Sequence, residues 1–197
     1  MSILFAIILF FLAVVVHEFA HGWIAYKLGD PTAKYSGRLT LNPLAHIDPI
    51  GTIILPAFLI LTGAPILFGW AKPIPVNFSG LHNPKKDIIW VGLAGPCANI
   101  LLAIILSLII KLKIILFAAA ILKYFIIINL VLAVLNLIPI PPLDGSRVLM
   151  GLLPPKLTYR YMQIEPFGFI IIFILLYMGL LDSIINTVVS TLTGFLI

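Results

Sequence analysis

Two histidines and a glutamate stand together in His17-Glu18-Phe19-Ala20-His21, at the end of the first apolar stretch of the chain. Residues four apart share a helix face, so both imidazoles can hold one Zn²⁺ while Glu18, beside them, reaches the activated water as general base. The chemistry in prospect is hydrolysis, in an unusual setting. Fourteen apolar residues, Ile3 to Val16, precede His17. At 1.5 Å rise each they cover about 21 Å of a hydrocarbon slab roughly 30 Å thick, so His17 is expected below the membrane surface. Ionisable groups at such depth are expensive and usually functional.

A catalytic zinc site keeps three protein ligands and an open position for water, so the histidines need a third donor. With Glu18 assigned as base, the remaining acids are Asp30, Asp48, Asp87, Asp144, Glu165 and Asp182. Asp144 stands out because it follows a long apolar segment through Asn136-Leu137-Ile138-Pro139-Ile140-Pro141-Pro142-Leu143 and precedes Gly145. Prolines there end or unwind the helix and the glycine permits a turn, so the carboxylate can be aimed sideways at a metal. A plain turn-forming role is the alternative.

The elements that must position these residues are membrane helices. The chain has 197 residues, 62% hydrophobic and 10% charged, with a mean hydropathy of +1.21. This composition excludes a soluble globular domain. Ser2 to Ala25, Ile88 to Ile110, Leu116 to Ile138, and Phe167 to Leu181 with its flanks are long and apolar enough to cross. Ile50 to Gly69 has the length of a span but carries Pro56 and the Gly63-Ala64-Pro65 break, which favours a bent or re-entrant element. Ser183 to Ile197 reads as a short helix lying against the bundle. Gly37 to Leu41 and Lys72 to Asn77 read as short extended pieces, hence short membrane-associated β-strands. No internal repeat or low-complexity linker divides the chain, so one domain spanning residues 1–197 is expected. The fold class is all-α and polytopic, with a three-helix core from the first, Ile88 and Leu116 helices.

The net charge of +5 carries topology. If Ile50 to Gly69 dips in and returns, Lys27, Lys34, Arg38, Lys72, Lys85, Lys86, Arg147, Lys156 and Arg160 share one side against Lys111, Lys113 and Lys123, nine to three. If it crosses, the same twelve divide six and six and the positive-inside bias vanishes. The re-entrant arrangement is therefore preferred, and it brings Asp144 to the cytoplasmic side with the histidines. No basic run with interleaved aromatics suggests a nucleic-acid partner. The single cysteine, Cys97, excludes an internal disulfide and reads as core filler. Residues 1–16 lack a basic n-region, so the first helix is expected to remain in the mature protein.

With these residues in place, the chain resembles the site-2 protease family of intramembrane zinc metalloproteases over most of its length. His17-Glu18-Phe19-Ala20-His21-Gly22 is similar to the family's first signature, Leu143-Asp144-Gly145 to its second, and Gly95-Pro96-Cys97-Ala98-Asn99 to the small-residue motif of its middle core helix. The resemblance implies one zinc per chain bound by His17, His21 and Asp144, Glu18 activating the water, and Asn136 steadying the tetrahedral oxyanion. It implies peptide-bond cleavage in a transmembrane protein substrate, within membrane lipid, in a multi-pass protein of a prokaryotic cell membrane. A short form of the family, without a PDZ-like or nucleotide-sensing domain, is expected. The resemblance also suggests that the extended pieces near Leu39 and Ile74 hold an unwound substrate by strand addition.

Plainer readings stand beside these. Asn136 shares a helix face with Asn129, seven residues earlier, and interhelical hydrogen bonding fits it as well as an oxyanion role. Asn99 reads as packing, His46 and Asp48 as supporting or loop-fixing residues, and His82 as a solvated loop residue. Trp23, Trp70 and Trp90 read as interfacial anchors. The rival from another class is a membrane protein that transports or senses Zn²⁺, which needs ligands but no unligated carboxylate such as Glu18. Metalloproteases that trim soluble or prenylated peptides use a glutamate as third ligand, and Glu165 is sequestered in Gln163-Ile164-Glu165-Pro166.

Overall fold

A computed structural model describes residues 3–63 and 69–197. Ala64 and Pro65 of the expected break lie outside the described residues. The α-helices are α1 (Ile3–Lys27), α2 (Thr32–Tyr35), α3 (Leu55–Leu61), α4 (Pro84–Lys111), α5 (Ala119–Asn136), α6 (Asp144–Leu152), α7 (Pro155–Met162), α8 (Gly168–Tyr177) and α9 (Leu180–Leu196). Among the described residues, four stretches are long and apolar enough to cross a membrane: Phe5–Lys27, Pro84–Lys111, Ala119–Asn136 and Pro155–Tyr177. The protein is thus an all-helical, multi-pass membrane protein. Its fourth span starts before the expected Phe167 and stops before Leu181, because Gly179 takes φ +72°, a left-handed conformation that ends one helix and starts the next.

α4 is the central element, packed against α1, α5 and α6. Along α1 the buried residues Leu9, Ala13, His17, His21 and Ala25 recur every four positions, a single stripe facing the bundle. The histidines are therefore members of the packing stripe itself. On α4 the matching face carries Ile88, Val91, Gly92, Gly95, Asn99 and Ala103. The start of α4 is fixed by Pro84 in its first turn and by Asn83, whose side chain accepts from Lys86 N while Asp87 accepts from Asn83 N. Cys97, expected as core filler, instead faces outward from α4. Further from the site, Ala103, Leu106, Ile126, Leu130, Ile172, Leu181, Ile185 and Val189 form a core uniting α4, α5, α8 and α9. That docks α9 on the bundle, with its serine- and threonine-rich side outward.

The expected short strands do not form among the described residues. Lys72–Asn77 is extended but has no neighbouring strand, and Pro73 and Pro75 remove two of its ladder donors. Several of its backbone groups bond to side chains and loops instead. Lys72 N donates to His46 O (2.9 Å), Arg38 Nη2 donates to Lys72 O (2.7 Å), and Asn77 N donates to the buried carboxylate of Asp30 (2.7 Å). Gly37–Leu41 is likewise a turn and an irregular run. His46 and Asp48 prove to be loop-fixing: His46 Nε2 lies 2.9 Å from Thr40 O, and Asp48 caps the helical turn Pro49–Ile54 by accepting from Ile50 N and Gly51 N. Trp70 N then donates to Gly51 O (3.1 Å) and Thr52 Oγ1 to Trp70 O (2.8 Å), so positions 51 and 70 lie side by side.

Candidate active site

His17 lies ten residues before the end of α1, about 15 Å along the axis from Lys27 at 1.5 Å per residue. The two rings stand edge to face, 78° apart, and both bring their Nε2 edges against α4 at Gly95. A Cβ built there meets Cε1 and Nε2 of His17 at 2.5 Å and crowds Nε2 of His21, so only glycine lets the helices approach this closely.

The outer ring nitrogens are occupied. His21 Nδ1 donates to the carbonyl of Val91 on α4 (2.7 Å). His17 Nδ1 lies 2.6 Å from Asn99 Oδ1. A carbonyl can only accept, so each ring carries its proton outward and turns the lone pair of Nε2 inward. Those two lone pairs meet Asp144 Oδ2, 2.9 Å from His17 Nε2 and 3.2 Å from His21 Nε2. Asp144 reaches them from the first turn of α6. Gly145, expected to permit a turn, is helical, and what it permits is close approach: Leu137 O and Ile138 O occupy the space a side chain would need.

Three acceptor atoms thus converge with no donor among them, an arrangement that a cation at its centre would satisfy. His17, His21 and Asp144 can offer one ligand atom each, all within 4.8 Å of one another. Two imidazoles and one carboxylate form the three-donor set of a catalytic zinc site that retains an open position.

Glu18 stands apart from that set. Its Oε2 accepts a hydrogen bond from Ile74 N (2.7 Å), where the extended strap Lys72–Asn77 crosses α1. Ile74 is buried, and its Cδ1 occupies the space a side chain at position 22 would take. The strap, the two histidines, Glu18, Asn136, Asp144 and Arg147 surround a cavity of about 320 Å³. Asn136 lies on the wall with Nδ2 donating to Leu132 O of its own helix (2.9 Å). Glu165 is paired with Arg147 (2.7 Å) and is not part of the cluster of His17, His21 and Asp144.

The model of Peptidase family M50 matches residues 5–117 and 114–178. The chain belongs to that family. It is a membrane metallopeptidase by that membership, as its resemblance to the site-2 proteases implied. Relatives in family M50 include a putative zinc metalloprotease of Bacillus subtilis, 39% identical over 87% of this chain and 79% of its own length. A putative zinc metalloprotease of Mycolicibacterium smegmatis is 31% identical over 84% of this chain. Its counterpart in Mycobacterium tuberculosis H37Rv is 30% identical over 81%. The chain spans 63% and 61% of the lengths of these two mycobacterial relatives. No solved structure matches the chain.

Two residues of this site are missed by sequence reasoning, Asn99 and Asn129. Both are fully buried in the bundle behind His17. The available signal was an amide on an otherwise apolar helix face, which packing explains equally well.

Proposed function

We propose that the chain is a zinc-dependent intramembrane endopeptidase cleaving transmembrane segments of membrane-protein substrates, with residues 1–197 as one protease domain. The observation carrying this reading is the convergence of three acceptor atoms beside a carboxylate that takes no part in the cluster. His17, His21 and Asp144 hold one zinc ion, which when bound supplies a Lewis acid for the attacking water and the scissile carbonyl. Glu18 takes the proton of that water and passes it to the leaving amine, exchanging its bond to Ile74 N for one to the water. Asn136 has a second N–H on Nδ2 besides the one given to Leu132 O, and directs it at the developing oxyanion, a contact worth roughly 3 kcal/mol in other enzymes.

The nine-to-three distribution of cationic residues supports a site on the cytoplasmic side of a prokaryotic cell membrane. It requires residues 50–69 to enter and leave on one face, and the pairing of Trp70 with Gly51 favours such a re-entrant path.

A helical substrate must unwind before its carbonyl is accessible, and the extended strap beside the metal ligands offers a backbone edge for the freed segment. Val76→Pro removes a strap donor without touching the Glu18 bond. Cleavage is expected to fall by about tenfold, the worth of one hydrogen bond, with zinc content unchanged; a variant as active as the parent would remove the strap from substrate binding.

Purified protein reconstituted with zinc is expected to cleave members of a panel of single-span substrates, to lose that activity with a chelator and to regain it on adding zinc back. Cleavage that survives complete removal of metal would overturn the reading.

A further inference from the structure

Behind His17 runs a line of two side-chain amides whose partners fix which way each one faces. Asn129 Nδ2 donates to Phe125 O of its own helix (2.8 Å), which leaves its Oδ1 as an acceptor directed at α4. Asn99 Nδ2 donates to that oxygen (2.8 Å) and also to Ala13 O on α1 (3.2 Å). Both N–H bonds of Asn99 are then committed, so its Oδ1 must face His17, where it accepts from Nδ1 at 2.6 Å. Both amides are fully buried, between α1, α4 and α5. Burial of two such groups among apolar helices is costly unless they are hydrogen-bonded, and each is held by partners on two or more helices. His21 has no counterpart, since it donates directly to the Val91 carbonyl.

We infer that Asn99 and Asn129 form a positioning relay that fixes the tautomer and ring orientation of His17, so that its Nε2 presents a lone pair to the metal. The inference rests on the proposed metal site and extends it from the ligands to their support on α5. Partners of this kind, which hold the outer nitrogen of a metal-binding histidine, typically change metal affinity by about 10- to 100-fold when removed. Asn129 touches neither the ligand atoms nor the cavity, and acts only through Asn99.

Zinc affinity by competition, together with the visible spectrum of the Co²⁺-substituted protein, tests the relay in full-length protein in detergent. Asn99→Leu is expected to weaken zinc binding by about 100-fold, and Asn129→Leu by about tenfold with shifted Co²⁺ bands. Asn99→Asp keeps an acceptor for His17 Nδ1 while losing both amide donors, so it is expected to bind zinc within about threefold of the parent, since a carboxylate presents an acceptor whichever way it turns and does not need Asn129 to orient it. A role limited to holding helices together gives the opposite order, because the aspartate loses the donors to α1 and α5 that such a role needs. Asn99→Asp binding as weakly as Asn99→Leu overturns the relay, as does Asn99→Leu binding like the parent. Should Asn99→Leu fail to fold, Asn129→Leu with parental affinity and an unshifted Co²⁺ spectrum has the same force. Parent protein that binds no metal refutes the proposed site itself, whereas parent binding with indifferent variants refutes only the relay.

Discussion

Glu18→Gln is expected to lower peptide cleavage by about 10³-fold or more while leaving zinc content at one ion per chain, general-base catalysis being worth roughly 10²–10⁴ in rate. The two effects separate because Glu18 is not among the converging ligand atoms. Its carboxylate is held by Ile74 N, one residue along α1 from His17, on the wall of the same cavity. Glutamine is nearly isosteric, and its carbonyl oxygen accepts the same hydrogen bond, so the strap and helix packing are retained. What is lost is the capacity to take a proton. The measurement is cleavage of a single-span substrate alongside metal analysis of the same preparation. Undiminished cleavage would remove Glu18 from the chemistry, and loss of zinc would make it a ligand. A transporter or sensor built on the same ligands has no need of the carboxylate, so this substitution also separates the two classes.

Gly95→Ala, a single methyl group on a helix that carries no ligand, is expected to weaken zinc binding by about 100-fold or more. That group would stand 2.5 Å from two atoms of the His17 ring and against the metal-facing nitrogen of His21. Neither ring can retreat, because Nδ1 of each is tied to α4, through Asn99 and through Val91. Relief requires α1 and α4 to separate or both imidazoles to leave their positions, and either change parts Nε2 of each from Asp144. Disturbing the support of metal ligands in this way costs at least the 10- to 100-fold seen when an outer hydrogen-bond partner is removed. Isothermal or competitive zinc titration reads the effect directly. Parental affinity in Gly95→Ala would mean that the helices pack less closely than the structure has them.

Much of this site is legible in the sequence because its determinants are local. A four-residue spacing on an apolar helix places His17 and His21 on one face, and the prolines between Ile138 and Leu143 stop α5 and turn the chain so that Asp144 begins a new helix. The spans follow from length and hydropathy for the same reason. What sequence reasoning loses is the identity of partners far along the chain. Lys72–Asn77 is legible as extended from Pro73 and Pro75, and it is misread as a strand because the groups satisfying it are Glu18 and Asp30, 56 and 47 positions from their partners Ile74 and Asn77. Asn99 is equally ambiguous from sequence, since a buried amide serves packing or a ligand and only the direction of its two N–H bonds decides. Gly95 is legible as a site of close helix contact; that the contact is with the two imidazoles is tertiary information. Gly179 stands two residues before the expected end of the fourth span at Leu181, and that a glycine in an apolar run ends a helix is known only from its φ.

Zinc K-edge X-ray absorption on the purified protein and on Asp144→Ala addresses the metal site most directly. The expected coordination of the parent is two imidazole nitrogens and one carboxylate oxygen at about 2.0–2.2 Å with a light-atom fourth ligand from water. In Asp144→Ala one protein oxygen is expected to disappear while both imidazole contributions persist. A parent spectrum without two imidazoles, or one unchanged by loss of Asp144, would contradict the convergence of His17, His21 and Asp144 on a single ion.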